Sequence, residues 1–432
     1  MKIFSVSAVA LTLVLGSALS AHAVSLTLSG TSATVQMDDA EAVYASDSTG
    51  VSQLISAVGM PAPDNAKVTE VGVPSMMPDG RVLFGAEIQP NQPNLNRHWN
   101  IYIGSPDAPR GRRLLAVIPP KALVGSCTPA FRGDPFPVAD ADGNIAFISA
   151  QPHGRDALFI YSHGKLKCLA KAGDKTNQGH EIAVLGFGSQ QMGESGEVVF
   201  NAFLNPLKSD PIDANLPADS HRQALLVASP TTGVTELAIE GQFGPNHTQY
   251  QRPFGLPAAL PSERGTIVAF TAKTPQGGAL FLYDRGTMIR ILPTGTLTQL
   301  GPVTYVSPGR PGLMSDGTTA VLAGCARTPA IFRLTHQHLD LRISRGELTP
   351  IGTELESLGD PVLTASGAMF VGATDSDGHE KLYELDDNDM FFEVGEPESL
   401  YRIAYTPKHH HSIFTGTLSA NQQGDFAYLG SR

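Results

Sequence analysis

Cysteine is nearly missing: Cys127, Cys168 and Cys325 are the whole supply in 432 residues. So few, and an odd number, exclude a disulfide framework and leave either one bridge or three thiols. Positive charge is scarce too, with 30 Lys and Arg against 41 Asp and Glu and a net charge of −11. An acidic chain is a poor general binder of nucleic acid or of an anionic membrane, although a local cationic pocket is not excluded. Beyond the N-terminus no run approaches about 18 uninterrupted apolar residues, so no membrane span is expected in the mature chain. The sequence also lacks a G-x-S-x-G elbow, an H-E-x-x-H helix and a phosphate-binding glycine loop, and no PQQ or NAD site can be argued from it.

The N-terminus begins with a short positive start at Lys2 and an apolar stretch from Ile3 to Leu19, ending in Ala21-His22-Ala23. This is the layout of a secretory leader, so residues 1–23 are expected to be a signal peptide cleaved after Ala23, giving a secreted or periplasmic protein. The remainder, 24–432, is rich in Gly (44) and Pro (32) over the whole chain. That balance suits a loop-rich β protein rather than a helical one.

A repeat runs through the chain. Its unit is a glycine, alternating apolar residues, then a small residue: GRVLFGA from Gly80, GNIAFISA from Gly143, GEVVFNA from Gly196, and further copies from Gly265, Gly317, Gly367 and Gly424. The intervals between those glycines are 63, 53, 69, 52, 50 and 57 residues. Strand-like units at a period near 50 belong to propeller blades. After most copies comes a hairpin pattern, such as ALFIYSHGKLKCLA (157–170) or ALFLYDRGTMIRIL (279–292), and before each lies a short strand joined by a glycine turn. Four strands, A to D, thus make one blade. The last glycine unit reaches the C-terminus without its hairpin, while 42–59 supplies a hairpin with no glycine unit before it. Pairing the two ends closes the ring and removes the exposed edge. The expected fold is therefore all-β: one seven-bladed β-propeller domain over 24–432, with four-stranded blades closed by N- and C-terminal strands.

The element DADGNIAF (140–147) resembles the tandem-repeat family of secreted bacterial proteins with the pattern N-x-x-G-x-x-A-F. NQQGDFAY (421–428) keeps Asn421 and carries Tyr428 in place of the last Phe. Copies drift, with the aromatic one residue late at Phe270, one early at Phe370 and replaced by Val321. The resemblance implies a β-propeller and says little about activity. Phe84, Phe147, Phe200, Phe270 and Phe370 are expected to pack between blades. DADG lacks the terminal Glu of a calcium loop and reads as a hairpin turn.

Strand alternation puts the A–B and C–D turns on one face of the disk and the B–C loops and D-to-A connections on the other. The second face has the long segments, among them 89–98, 204–223, 240–257 and 405–417, and long loops on a rigid scaffold are where binding tends to lie. Nine histidines fall there, including His98, His153, His180, His221, His247, His379, His409 and His411, against three (His163, His336, His338) on the short-turn face.

NHTQYQRPFG (246–255) gathers His247, Tyr250 and Arg252 within six residues. Arg can neutralise a carboxylate bidentately, and His or Tyr can move a proton. In blade number and residue set the chain resembles the seven-bladed propeller polysaccharide lyases of the ulvan and oligogalacturonate type. That resemblance implies β-elimination at a uronic acid, with His153 or His180 as base or clamp, Tyr250 as proton donor and Arg252 as neutraliser, Arg264 being a reserve. His98, Arg155, His221 and His247 are the expected substrate-binding residues.

A second cluster, DSDGHE (375–380) with His409–His411, brings His379, His409 and His411 forward as a candidate metal set. No cofactor is required by this reading, and a structural zinc or calcium is the one metal role considered. The expected partner is a polysaccharide or other extracellular ligand on the long-loop face of a monomer. A non-catalytic glycan- or protein-binding propeller is the alternative.

Overall fold

The computed structural model describes residues 24–28, 31–35, 41–46, 52–62, 66–77, 79–91, 96–104, 115–116, 128–151, 156–186, 188–213, 217, 220–262, 265–326, 328–335, 338–386, 391–394, 418–420 and 426–431. Their regular structure is strand, apart from two short 3₁₀ turns, and no described helix is long and apolar enough to cross a membrane.

Six blades are each cut from one continuous stretch of chain. The first spans Lys67–Ala116, the second Val138–Lys171, the third Ile182–Ile239, the fourth Gln251–Pro293, the fifth Leu297–Ser344 and the sixth Leu355–Val394. All are antiparallel, as hairpin connections require. A further four-stranded sheet joins the chain ends: Phe426–Ser431 pairs with Glu41–Ser46, flanked by Leu418–Ala420 and Ser52–Ala57. Val43 and Ala45 of this closing sheet pack with Val71 and Phe84 of the first blade, and Ala42 and Tyr44 pack with Phe370 and Leu382 of the sixth. A two-stranded hairpin, Val24–Leu28 with Thr31–Val35, stands apart from these sheets.

The expectation of seven uniform four-stranded blades is corrected here. The structure has six consecutive blades plus a closing sheet of a different make, and the sheets hold four to six strands. The extra strands arise because the inner strand is broken. In the third blade, for example, Ile182–Leu185 pairs with one end of Val198–Leu204 and Gln191–Met192 with the other. The break falls where the chain kinks at Gly72, Gly186, Gly255, Ser307 and Gly359, each of which still donates its N–H to the next strand.

The core sits between blades. Met77, Leu83 and Ile101 meet Ile145, Phe147 and Phe159 of the next blade, and the same arrangement recurs around the ring. The five repeat phenylalanines are at most 2% exposed. Burying such a side chain contributes about 2–3 kcal/mol, so the repeat motif is a packing motif. The turn DADG also acts structurally, with the Asp140 carboxylate accepting the N–H groups of Asp142 (3.0 Å) and Asn144 (2.8 Å).

Around the axis, the kinks are latched from blade to blade. Asp134 accepts Val73 N–H at 2.8 Å, Gln190 donates to the Pro135 carbonyl at 3.0 Å, and Asn201 donates to the Gly255 carbonyl at 2.9 Å. Leu256 N–H reaches the Pro308 carbonyl at 3.1 Å, and Asp360 accepts Arg310 N–H at 3.0 Å. Gly72 and Gly85 are needed here because a Cβ on either would overlap the Asp134 carboxylate. Arg310 crosses from the fifth blade to the Gly188 carbonyl of the third at 3.0 Å, bordering a cavity of about 60 Å³.

Candidate functional site

The residues proposed from sequence separate in space. Tyr250 is 4% exposed and packs on Phe254, Phe270 and Phe281, with centroids 6.0, 6.2 and 5.1 Å away. Burial pushes its phenol up to about 12. A phenol held in the core meets no polymer, so the proton-donor assignment is corrected to core packing. The cause is local: Phe243 bridges Gln249 in a small hairpin, which turns Tyr250 inward. Arg252 is on the surface, its Nε donating to Glu240 at 3.0 Å, and His247 is exposed. These three do not share one environment. His98 and His221 are also exposed, the former with Nδ1 3.3 Å from the Asn96 carbonyl. His153, Arg155, Arg264, His409 and His411 lie outside the described residues. His379 is half exposed and sits 3.6 Å from Asp375, which also faces Lys381 at 3.9 Å. Cys168 is disulfide-bonded and Cys325 is free and buried.

His180 differs from the other histidines. It is 2% exposed, at the end of the turn between the second and third blades. Nδ1 lies 2.9 Å from Glu236 Oε1, and the same carboxylate accepts Thr176 Oγ1–H. Nε2 lies 3.3 Å from Asp213 Oδ2 and 3.5 Å from Asp210 Oδ2, with no hydrogen-bond partner of its own. Arg222 donates from Nη1 to Asp213 Oδ1 (2.9 Å) and Asp210 Oδ2 (3.0 Å), and from Nε to the Glu240 carbonyl at 2.6 Å. The hydrogen bond to Glu236 raises the His180 pKa against the opposing effect of burial. Burial alone would raise that of Asp210, but the Ile212 N–H and the Arg222 guanidinium more than offset it and hold the carboxyl low. Among the described residues this is the one group of His and carboxylates placed to hold a metal ion. Asp210 and Asp213 went unnoticed in the sequence, although DPID stands in the long loop 204–223, because their partner Glu236 reads as an ordinary strand residue.

The opposite face holds a second feature that the sequence did not reveal. Between the fourth and fifth blades a pocket of about 450 Å³ opens among the short turns. Leu282, Ile289, Ile291, Leu334 and Leu339 supply apolar lining, and Asp284, Arg290, Asp316, Thr335 and His338 the polar lining. Ile289 is 43% exposed, so the apolar surface is open to solvent. Its volume and mixed lining fall in the range of small-molecule sites.

No family model and no curated protein matches the chain. Solved structures resemble it at low identity. Acylaminoacyl peptidase of Pyrococcus horikoshii is 12% identical with a TM-score of 0.45, over 82% of this chain and 48% of that one. Prolyl oligopeptidase B from Galerina marginata is 12% identical with a TM-score of 0.41, over 82% and 46%. A mutant of Aleuria aurantia lectin in complex with alpha-methyl-L-fucoside is 11% identical with a TM-score of 0.36, over 75% and 93%. The lectin is described as a six-bladed β-propeller with fucose recognition. The chain spans about half the length of the two peptidases. At these scores the resemblance extends to propeller architecture and carries no argument about activity.

Proposed function

We propose that the protein is an exported glycan-binding propeller whose binding site is the pocket between the fourth and fifth blades. The observation that supports this reading is the composition of that pocket, an apolar wall of Leu282, Ile289, Ile291, Leu334 and Leu339 beside Asp284, Arg290, Asp316, Thr335 and His338. A sugar ring offers an apolar C–H face and a rim of hydroxyls, and a carboxylate accepts hydroxyl hydrogen bonds well. Two carboxylates, Asp284 and Asp316, outnumber the one guanidinium of Arg290 in the lining, a balance that favours a neutral sugar over a uronate. Eliminative cleavage of an acidic polymer loses its main support with Tyr250 in the core. The ligand's place moves accordingly from the long-loop face to the short-turn face.

A glycan array spanning neutral and uronic-acid structures tests the proposal. Binding to a neutral glycan that disappears in Leu339→Arg, a variant that fills the pocket, supports it. Binding confined to uronate polymers, with ultraviolet-absorbing unsaturated products released, would replace it with the lyase reading.

A further inference from the structure

We propose that His180, Asp210 and Asp213 form a zinc site on the long-loop face, separate from the inter-blade pocket. The first argument is spacing. Zinc binds imidazole and carboxylate at about 2.0–2.2 Å, so two ligand atoms on one tetrahedron lie about 3.3–3.6 Å apart. His180 Nε2 stands 3.3 Å from Asp213 Oδ2 and 3.5 Å from Asp210 Oδ2, and the three ligand atoms lie within 4.8 Å of one another. The first two distances match edges of such a tetrahedron, while neither contact satisfies hydrogen-bond geometry at Nε2.

The second argument is the surroundings of the imidazole. A metal-bound histidine donates its other N–H to a carboxylate, which fixes ring and tautomer. Glu236 Oε1 stands at that nitrogen, 2.9 Å away, and is itself held by Thr176. The ring's lone pair is thereby directed at the two aspartates.

The third argument is charge. Asp210, Asp213 and Glu236 surround His180, Arg222 pairs with the two aspartates, and the imidazole is neutral in the form that binds a metal. The sum is −2, and a divalent cation cancels it. Buried charge left uncompensated is costly, so with a neutral imidazole the cluster has room for a divalent cation. Arg222 donates to Asp213 Oδ1 and Asp210 Oδ2, and Asp213 Oδ2, which faces His180, also accepts the Leu207 N–H at 2.7 Å, so each ligand oxygen would bind the metal through its second lone pair. Asp210 is 15% exposed and gives the cation its entry path.

The position is special to this blade. Equivalent turns place Ala66, Thr248 and Thr353 where His180 stands, each closed by the same carbonyl hydrogen bond. Thr248 there meets Arg290 and Thr353 meets Asp375. In the third blade the slot holds an imidazole, and the long loop between the second and third strands delivers two carboxylates to it. The metal would staple that loop to the turn before the blade.

The test is zinc titration of chelator-treated full-length protein, read by elemental analysis and by thermal melting, with cobalt as a spectroscopic substitute. The expected result is one zinc per chain, a raised melting temperature and a visible cobalt spectrum of tetrahedral type. Asp210→Asn should weaken binding about a hundredfold or more, and replacing His409, His410 and His411 by Ala should leave it intact. Zinc that follows the histidine tract, binding by Asp210→Asn equal to that of the parent, or an octahedral cobalt spectrum would each overturn the proposal. The cobalt spectrum of the parent protein decides the matter even where a variant fails to fold.

Discussion

Replacing Asp134 by Asn should change how stability depends on pH. The carboxylate links the first two blades, accepting Val73 N–H at 2.8 Å and Phe136 N–H at 3.0 Å. Burial pushes its pKa from 3.8 up to about 7, the two N–H groups opposing the shift only in part. At about 1.4 kcal/mol per unit, a group moved this far carries a penalty of about 4 kcal/mol when ionised. Between the two pKa values the folded chain holds the proton and the unfolded chain does not. Stability therefore falls as pH rises through that window, and the full penalty is present above about pH 7. The Asn variant is neutral throughout and has no such window. Asn offers one acceptor oxygen to the two N–H groups, so the variant carries a fixed offset in stability that does not change with pH, and the effect is read as the change in the difference from pH 5 upward. Between pH 5 and about pH 8 the difference should move in favour of Asn by about 3 kcal/mol, the remainder of the penalty having developed below pH 5, or about 3–4 °C for a chain this long. Differential scanning calorimetry of both proteins across this range reads the effect, and Asp360, which has a raised pKa of its own, is common to both and cancels. A difference in melting temperature that stays constant with pH would refute the reasoning.

Tyr250→Ala should destabilise by about 3–5 kcal/mol because it empties an aromatic core position, whereas Tyr250→Phe should cost about 1 kcal/mol or less and leave glycan binding unchanged; urea denaturation measures the first and the array the second. In zinc-free buffer, Arg222→Met should lower stability by about 3–5 kcal/mol, since Asp210 and Asp213 lose their cation. An unchanged urea midpoint would show that the guanidinium does not hold the loop.

Much of the propeller was legible because a blade repeats. Gly143, Phe147 and their counterparts carry the strand period and the inter-blade packing in each copy, and the half-units at the chain ends pair in the closing sheet. The uniform strand count was not legible, because the kinks at Gly72 or Gly359 look in sequence like ordinary glycines inside one inner strand. Tyr250 was misread for a related reason. A polar stretch suggested a surface loop, while the hairpin from Phe243 to Gln249 turned its last aromatic into the core. The pocket was hidden by its own chemistry, since Ile289, Leu334 and Leu339 read as core positions of outer strands. The His180 cluster draws on Thr176, Asp210, Asp213, Arg222 and Glu236, spread over a whole blade, and only the fold brings such residues together.

The glycan-binding claim is tested most directly by calorimetric titration of an array-selected neutral glycan into three proteins: the parent, Leu339→Arg and Phe243→Ser. Leu339 lines the pocket, and Phe243, 68% exposed, lies on the long-loop face. Leu339→Arg should weaken binding about tenfold or more and Phe243→Ser should leave it unchanged. Loss of binding in Phe243→Ser with Leu339→Arg behaving as the parent would contradict it.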